Sequence, residues 1–306
     1  MRINVAKSAG FCFGVREAVE IALDTVSKPG PSVHMLGDIV HNEQVVDRIS
    51  KSGIKVTGSL EEITEGRLLI RAHGAKKGLA EEATKSGLEV IDATCPMVTE
   101  IHKDVEKLEA QGCEIVIIGD HGHDEVIGIA SHVKEHVRII ATREEVGKAF
   151  PRRVKRLGVV VQSTQNIENV QAIMTELVLH AREIHFLNTI CEPTIQHQRD
   201  IRTMPKENDV MIIIGSQTSA NTMRLVSISK NINPRSYHVQ SPDDLNPMWF
   251  AGASSIGIHA GASTPDWLIE EVVEKIKSFD PQETSVCWER HVMGQWPQKG
   301  SRLSPG

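Results

Sequence analysis

The stretch EIVIIGDHGH, residues 114 to 123, contains the unit from which the fold is built. Its run of branched apolar residues predicts a short buried strand, and the glycine and polar residues that follow predict a loop into a helix. The same pattern recurs in RLLIRAHG (67–74), LEVIDATC (88–95), RLGVVVQST (156–164), EIHFLNTIC (183–191), DVMIIIGSQ (209–217) and SSIGIHAGA (254–262). This alternation predicts βαβ units on mainly parallel sheets, and therefore an α/β fold.

The segments between these strands have the spacing of amphipathic helices. Apolar residues recur at helical intervals in PMVTEIHKDVEKLEAQG (96–112) and TPDWLIEEVVEKIKSF (264–279), and each segment has a proline at its start. We expect these helices to cover the sheet faces. In such sheets the functional crevice lies beyond the carboxyl ends of the strands, where most of the unusual polar residues of this chain occur.

Three cysteines occupy equivalent positions along the chain. Cys12, Cys95 and Cys191 each follow a strand-like run and precede a helical pattern, at intervals of 83 and 96 residues. The spacing predicts three similar small α/β domains with mainly parallel sheets, arranged around a shared centre. We expect a first domain at 14–94, a second at 95–189, and a third at 190–279 that includes the N-terminal segment 1–13. Residues 280–306 are rich in Pro, Gln, Ser and Gly and predict a poorly ordered tail, with docking of Trp288 and Trp296 as the alternative.

Composition excludes several classes of protein. With 306 residues and 40% hydrophobic content, the chain is long enough for large cores. Its 34 Lys and Arg against 40 Asp and Glu give a net charge of -6, without a basic run, so nucleic acid is not an expected partner. No apolar run is long enough to predict a membrane span, and we expect a soluble cytoplasmic protein.

Five cysteines without paired spacing favour reduced thiols over a disulfide framework. Thiolates at helix starts suit metal binding, because the N–H groups and the helix dipole there favour negative charge. Three such thiols could hold zinc with a further ligand, or an iron-sulfur cluster, and spacing alone does not separate these alternatives. Cys113, at a strand start, is expected in the core, and Cys287 lies in the predicted tail.

Seven short segments decide between these alternatives, because in order they resemble the motifs of the 4-hydroxy-3-methylbut-2-enyl diphosphate reductase family. The segments are GFCFGV (10–15), VHN (40–42), AHG (72–74), DATCP (92–96), GHDEV (122–126), SANTMRL (219–225) and AGASTPD (260–266). The resemblance covers essentially residues 1 to 279. It implies an iron-sulfur reductase that removes the allylic hydroxyl of its diphosphate substrate, with two electrons and two protons, to give isopentenyl and dimethylallyl diphosphates.

The resemblance also implies roles for individual residues. Cys12, Cys95 and Cys191 would hold one [4Fe-4S] cluster with three cysteine ligands, and Glu125 would deliver a proton from a carboxyl whose pKa is raised by a dry pocket. An alternative for Glu125 is a carboxylate that only favours the helix dipole. The implied substrate-binding residues are His41, His73, His123, Ser163, Ser219, Asn221 and Ser263.

Two positions depart from the family's usual pattern. Ser163 stands where relatives commonly have threonine, and Ala220 stands where many have serine, which removes one phosphate donor. Thr194 matches a family threonine that follows the third cysteine. As electron source the resemblance implies a small one-electron carrier such as ferredoxin or flavodoxin. A zinc hydrolase or lyase and a non-catalytic redox sensor are the competing functional interpretations.

Overall fold

The structure is a computed structural model that describes residues 1–279 and 284–288. Its strands are β1 Arg2–Val5, β2 Val33–Leu36, β3 Ile54–Thr57, β4 Arg67–Ile70, β5 Glu89–Asp92, β6 Glu114–Ile118, β7 Val137–Ile140, β8 Val154–Val161, β9 Ala181–Phe186, β10 Val210–Ile214, β11 Ser236–Val239, β12 Ser255–Ala260 and β13 Ser285–Trp288. Its α-helices are α1 Phe13–Ser27, α2 Glu43–Lys51, α3 Leu79–Lys85, α4 Pro96–Ala110, α5 Asp124–Ser131, α6 Arg143–Ala149, α7 Ile167–Leu177, α8 Glu192–Glu207, α9 Ala220–Ile232 and α10 Asp266–Lys277.

These elements form two compact units. One, which we call the cysteine unit, runs from Cys12 to Ile195. The other, the terminal unit, combines Met1–Phe11 with the described residues of Gln196–Gly306. The predicted domain limits at 14–94, 95–189 and 190–279 stay predictions, whereas the predicted three parallel sheets are present.

The cysteine unit contains two four-stranded sheets in which all pairs are parallel. Their strand orders are β3-β2-β4-β5 and β7-β6-β8-β9. The side chains of Ile115, Val116, Ile117 and Ile118 in β6 are completely buried. A strand buried on both faces has no need of polar alternation, which explains the continuous apolar run that defined the pattern in the sequence.

The terminal unit contains one parallel sheet of five strands, in the order β11-β10-β12-β1-β13. Its last strand, Ser285–Trp288, pairs with Arg2–Val5, so this short part of the predicted tail is ordered. Residues 280–283 and 289–306 of that tail lie outside the described residues. Trp288 packs against the apolar core of this unit, in agreement with the docking alternative, and Cys287 is an exposed residue of the strand. Trp296 lies outside the described residues.

The five-residue strand β10 is completely buried in this sheet, and Leu268, Ile269 and Val272 of α10 pack on the same core. Within residues 1–279 and 284–288, the structure has no helix that is both long enough and apolar enough to cross a membrane.

Candidate functional site

Each of the three repeated cysteines belongs to the cysteine unit and lies at the start of a helix. Cys12 is the N-cap of α1, Cys95 is the N-cap of α4, and Cys191 directly precedes α8. Backbone hydrogen bonds fix two of them to neighbouring strand ends, since Cys95 donates to the carbonyl of Ala72 and Cys191 to that of Ser163, both at 3.0 Å. Cys95 and Cys191 therefore lie beyond the carboxyl ends of strands in the two four-stranded sheets, as predicted.

The electrostatics show that the three thiols lie near one another. Burial, as the largest cause, and the neighbouring Cys191 and Cys95 together raise the pKa of the Cys12 thiol to about 11. Burial also raises the pKa of Cys95 and of Cys191, with contributions from the carboxylate of Glu125. The expected lowering by helix starts is therefore outweighed by desolvation, because a buried anion without a counter-charge is costly. A cation bound between the thiols would reverse this balance.

The Cys191 thiol has a hydroxyl partner in the first turn of α8. The Thr194 hydroxyl is 3.1 Å from the Cys191 sulfur, and the Thr194 side chain is buried. Its hydrogen bond opposes the effect of burial on the Cys191 pKa. Thr194 thus directly contacts one of the three thiols. The sequence alone showed only that it matches a family threonine.

Three histidines form a cluster in the same unit. The ring centroids of His41 and His73 are 4.2 Å apart, and the His123 centroid lies 5.2 Å from His41 and 5.8 Å from His73. His41 precedes the N-cap of α2, His73 follows β4, and His123 is the N-cap of α5. Loops from both sheets thus bring together three rings that are far apart in the sequence.

Burial lowers the pKa of two of these rings, His73 and His41. It lowers the pKa of His73 to well below 6.5, and the neighbouring His41, His123 and Arg71 lower it further. Burial is also the main cause that lowers the pKa of His41, where Arg71 acts in the same direction and Asp124 opposes it. The Nδ1 atom of His123 accepts a hydrogen bond of 3.2 Å from the backbone N–H of Glu125, and in this tautomer the Nε2 atom carries the N–H.

Glu125 is the most deeply buried carboxyl near the histidine cluster, with only 2% of its surface exposed. The backbone N–H of Ser163 donates to its Oε1 atom at 2.6 Å, and the Ser163 hydroxyl donates to its Oε2 atom at 2.8 Å. Because the Ser163 carbonyl accepts from Cys191, one residue joins the carboxylate to a thiol segment. The Ser163 hydroxyl was expected near the substrate's alcohol or its carboxylate partner, and in the structure it contacts the carboxylate of Glu125.

The other predicted polar residues lie in the terminal unit, at the carboxyl ends of the paired strands β10 and β12. Ser219 is the N-cap of α9 and accepts from the Thr222 N–H at 3.3 Å, and Ser263 is a buried residue beyond β12. Asn221 is 5% exposed, and neither polar atom of its side chain has a hydrogen-bond partner among the described residues. A buried amide without partners is costly unless a ligand supplies them.

The predicted residues therefore fall into two groups. The cysteine unit brings together the three cysteines, three histidines, Glu125 and Ser163, and the terminal unit brings together Ser219, Asn221 and Ser263. Cys113 is a buried residue before β6, as expected. Arg71 was not among the predicted site residues. In the sequence it is marked only by its charge and by its position at a strand end, two residues before His73.

The comparisons with known proteins identify the same group of enzymes. The profile of the LytB protein family matches residues 3–277. The 4-hydroxy-3-methylbut-2-enyl diphosphate reductase of Geobacter metallireducens is 40% identical over 285 residues, which cover 93% of this chain and 100% of the relative. The enzyme of the same name from Aquifex aeolicus is 40% identical, over 90% of this chain and 96% of its own length.

Solved structures agree with these relatives. The structure of a (E)-4-hydroxy-3-methyl-but-2-enyl diphosphate reductase, described as the terminal enzyme of the non-mevalonate pathway, matches with a TM-score of 0.70 and 40% identity, over 90% of this chain and 99% of its own. The E-1-hydroxy-2-methyl-but-2-enyl-4-diphosphate reductase of Plasmodium falciparum matches with a TM-score of 0.86 and 26% identity, over 96% and 94%. With a family profile that matches nearly its whole length, the chain belongs to the LytB family.

Proposed function

We propose that this chain is an oxidoreductase that removes the allylic hydroxyl of 4-hydroxy-3-methylbut-2-enyl diphosphate, with two electrons and two protons, and forms isopentenyl and dimethylallyl diphosphates. The observation that carries the proposal is the proximity of three thiols in the unit that also buries Glu125 against Ser163. Family membership and relatives that are 40% identical support the same activity.

LytB proteins are a family of iron-sulfur enzymes, and the three thiols are suitable ligands for an iron-sulfur cluster. They influence one another electrostatically, yet the described residues contain no set of three His, Cys, Asp or Glu side chains close enough to hold a single ion. Because the chain belongs to this family and its three cysteine segments resemble the family's motifs, we assign Cys12, Cys95 and Cys191 as ligands of one [4Fe-4S] cluster. When bound, a cluster with three cysteine ligands supplies single electrons and a Lewis-acidic iron.

Glu125 and Ser163 have the geometry of a proton relay. In the ionised state the carboxylate accepts two hydrogen bonds from Ser163. Once Glu125 is protonated, its O–H donates to the Ser163 oxygen, and the Ser163 hydroxyl proton is then free to turn toward the departing hydroxyl of the substrate. In this mechanism Glu125 is the acid, and Ser163 transmits the proton without a net change.

The diphosphate would be bound by neutral donors. We assign this role to His41, His73 and His123 through their ring N–H groups, and to Ser219, Asn221 and Ser263. The Asn221 amide supports the assignment best, because its buried polar atoms have no partner in the described chain. Hydrogen bonds from such donors to a charged phosphate are stronger than those between neutral groups.

The electron source is a proposal from the resemblance alone. We assign a small one-electron carrier, ferredoxin or flavodoxin, as the protein partner. The cytoplasmic location stays a prediction of the sequence.

Anaerobic turnover of the diphosphate alcohol with a reduced dye tests the activity directly. Replacing Glu125 with Gln should lower kcat by about 10² to 10⁴, the usual contribution of a positioned acid. Glu144→Gln is the matched control, because Glu144 also lies in the first turn of a helix but is exposed. If both variants keep full turnover, Glu125 is only a carboxylate that favours the helix dipole. If a cluster-loaded wild type forms no product, the proposed reaction is wrong.

A further inference from the structure

An ion pair joins two of the segments that carry the histidine cluster. Arg71 follows β4 and lies two residues before His73, whereas Asp124 is the first residue of α5, between His123 and Glu125. Arg71 Nη2 and Asp124 Oδ1 are 2.8 Å apart, and the side chains are 23% and 32% exposed. The pair therefore links a loop of the β3-β2-β4-β5 sheet to a helix of the β7-β6-β8-β9 sheet.

The same guanidinium contacts the segment that leads to His41. A Cβ atom at Gly37 would lie 2.8 Å from Arg71 Nη1, so the absence of a side chain there makes room for the guanidinium. Gly37 has a φ of 68°, in the left-handed region that favours glycine, at the turn after β2. Arg71 thus belongs to the segment of His73, contacts the segment that leads to His41 and, through Asp124, is joined to the segment of His123.

This arrangement differs from an ordinary surface ion pair, which contributes little because both charges stay in water. The two sheets share no backbone ladder, so the distances between His123 and the other two rings depend on contacts between loops and α5. The Lys77–Glu106 pair provides a comparison, because it also joins the loop after β4 to a helix of the other sheet, at 2.7 Å, but with side chains 46% and 41% exposed. It does not flank a proposed catalytic residue.

We propose that Arg71 and Asp124 are positioning residues that hold His123 and Glu125 in alignment with His41 and His73. The inference rests on the proposed function of that cluster. The ion pair between Arg71 and Asp124 fixes the first turn of α5. It thereby positions both the donor ring of His123 and the proton-delivering carboxyl of Glu125. Substrate binding and turnover should then both depend on this ion pair.

The test is a double-mutant cycle with Arg71→Met, Asp124→Asn and the double variant, and with Lys77→Met as the matched control. Each single variant should lower kcat/KM on the order of tenfold to a hundredfold, the cost of a displacement of about 1 Å at a catalytic group. KM should rise and kcat should fall together. The double variant should be no worse than either single one, because the residues act as a pair, and Lys77→Met should stay within about twofold of the wild type.

A readout without turnover separates this inference from the proposed function. Isothermal titration of the oxidised protein with isopentenyl diphosphate should show weaker binding for Arg71→Met and Asp124→Asn than for the wild type and Lys77→Met. A loss of folded protein alone would lower the apparent kcat and leave KM and the dissociation constant unchanged, and this result would overturn the inference. Independent effects that multiply in the double variant would overturn it too. Failure of the wild type to turn over the alcohol would instead refute the proposed function.

Discussion

Gly14 is the position where one methyl group should separate folding from cluster binding. It is the buried second residue of α1, and a Cβ atom there would overlap the Cys95 sulfur and lie 3.2 Å from the Cys95 Cβ atom. To regain ordinary van der Waals contact the sulfur must move by about 1 Å. In Gly14→Ala we therefore expect the thiol to rotate away from its position beside Cys12.

Two opposing energies set the size of the effect. Alanine favours a helical position over glycine by about 1 kcal/mol, whereas the overlap costs about 1 to 3 kcal/mol if the thiol does not move. The cluster-free protein should therefore fold with nearly unchanged stability. Metal affinity should fall on the order of tenfold to a hundredfold, the usual effect of disturbing the surroundings of a ligand.

Iron and sulfide per chain, measured after anaerobic reconstitution, together with the visible absorbance, check this expectation. Circular dichroism and urea unfolding of the cluster-free protein report the fold. Gly147→Ala is the matched control, because Gly147 is an exposed residue of α6 with no atom within 4 Å of an added Cβ. Iron content equal to that of the control, with Cys95 still next to Cys12, would refute the reasoning.

Three further predictions concern residues outside that contact. Asn221→Leu should raise KM about tenfold, because hydrogen bonds to charged groups contribute roughly 1.5 to 3 kcal/mol. It should not lower the stability of the unliganded protein, because the Asn221 amide has no partner in the described chain. An unchanged KM in steady-state kinetics would contradict the role of Asn221 in binding. Burial lowers the pKa of His197 to about 3 and of His259 to about 4, so below pH 6.5 the unfolded chain binds more protons than the folded one. The free energy of unfolding from urea titrations should then fall as the pH drops from about 6.5 to about 4, by up to roughly 1.4 kcal/mol per pH unit for each ring, and a flat profile would count against buried neutral rings. Cys113→Ala should keep the full iron content and lose about 1 kcal/mol of stability, since Cys113 is a core residue; loss of iron would place it among the ligands.

Local patterns in the sequence were sufficient to predict the parallel sheets and the helix starts at which cysteines lie. The apolar run after Glu114 predicted a buried strand, found at Glu114–Ile118, and the strand-end positions of Cys95 and Cys191 predicted helix starts, which are present. Both predictions depend on spacing within about 15 residues, where periodicity is informative.

The remaining features depend on contacts that are distant in sequence. Ser285–Trp288 lies in a polar, proline-containing stretch, and its strand pairs with the edge that Arg2–Val5 offers. Gly14 gives no sign in the sequence that it meets Cys95. The direction of the thiol pKa shifts was also missed, because the sequence shows the helix start but not the depth of burial that outweighs it.

The position of β1 has a consequence for the order of events in the cell. Val5 pairs with Ile258 on one side and with Trp288 on the other, so β1 waits for partners that are made about 250 and 280 residues later. Such long-range closure slows the final step of folding. The segment that continues from Val5 to Cys12 is therefore anchored only after β12 and β13 have been made, and we expect the Cys12 thiol to reach its position late in folding.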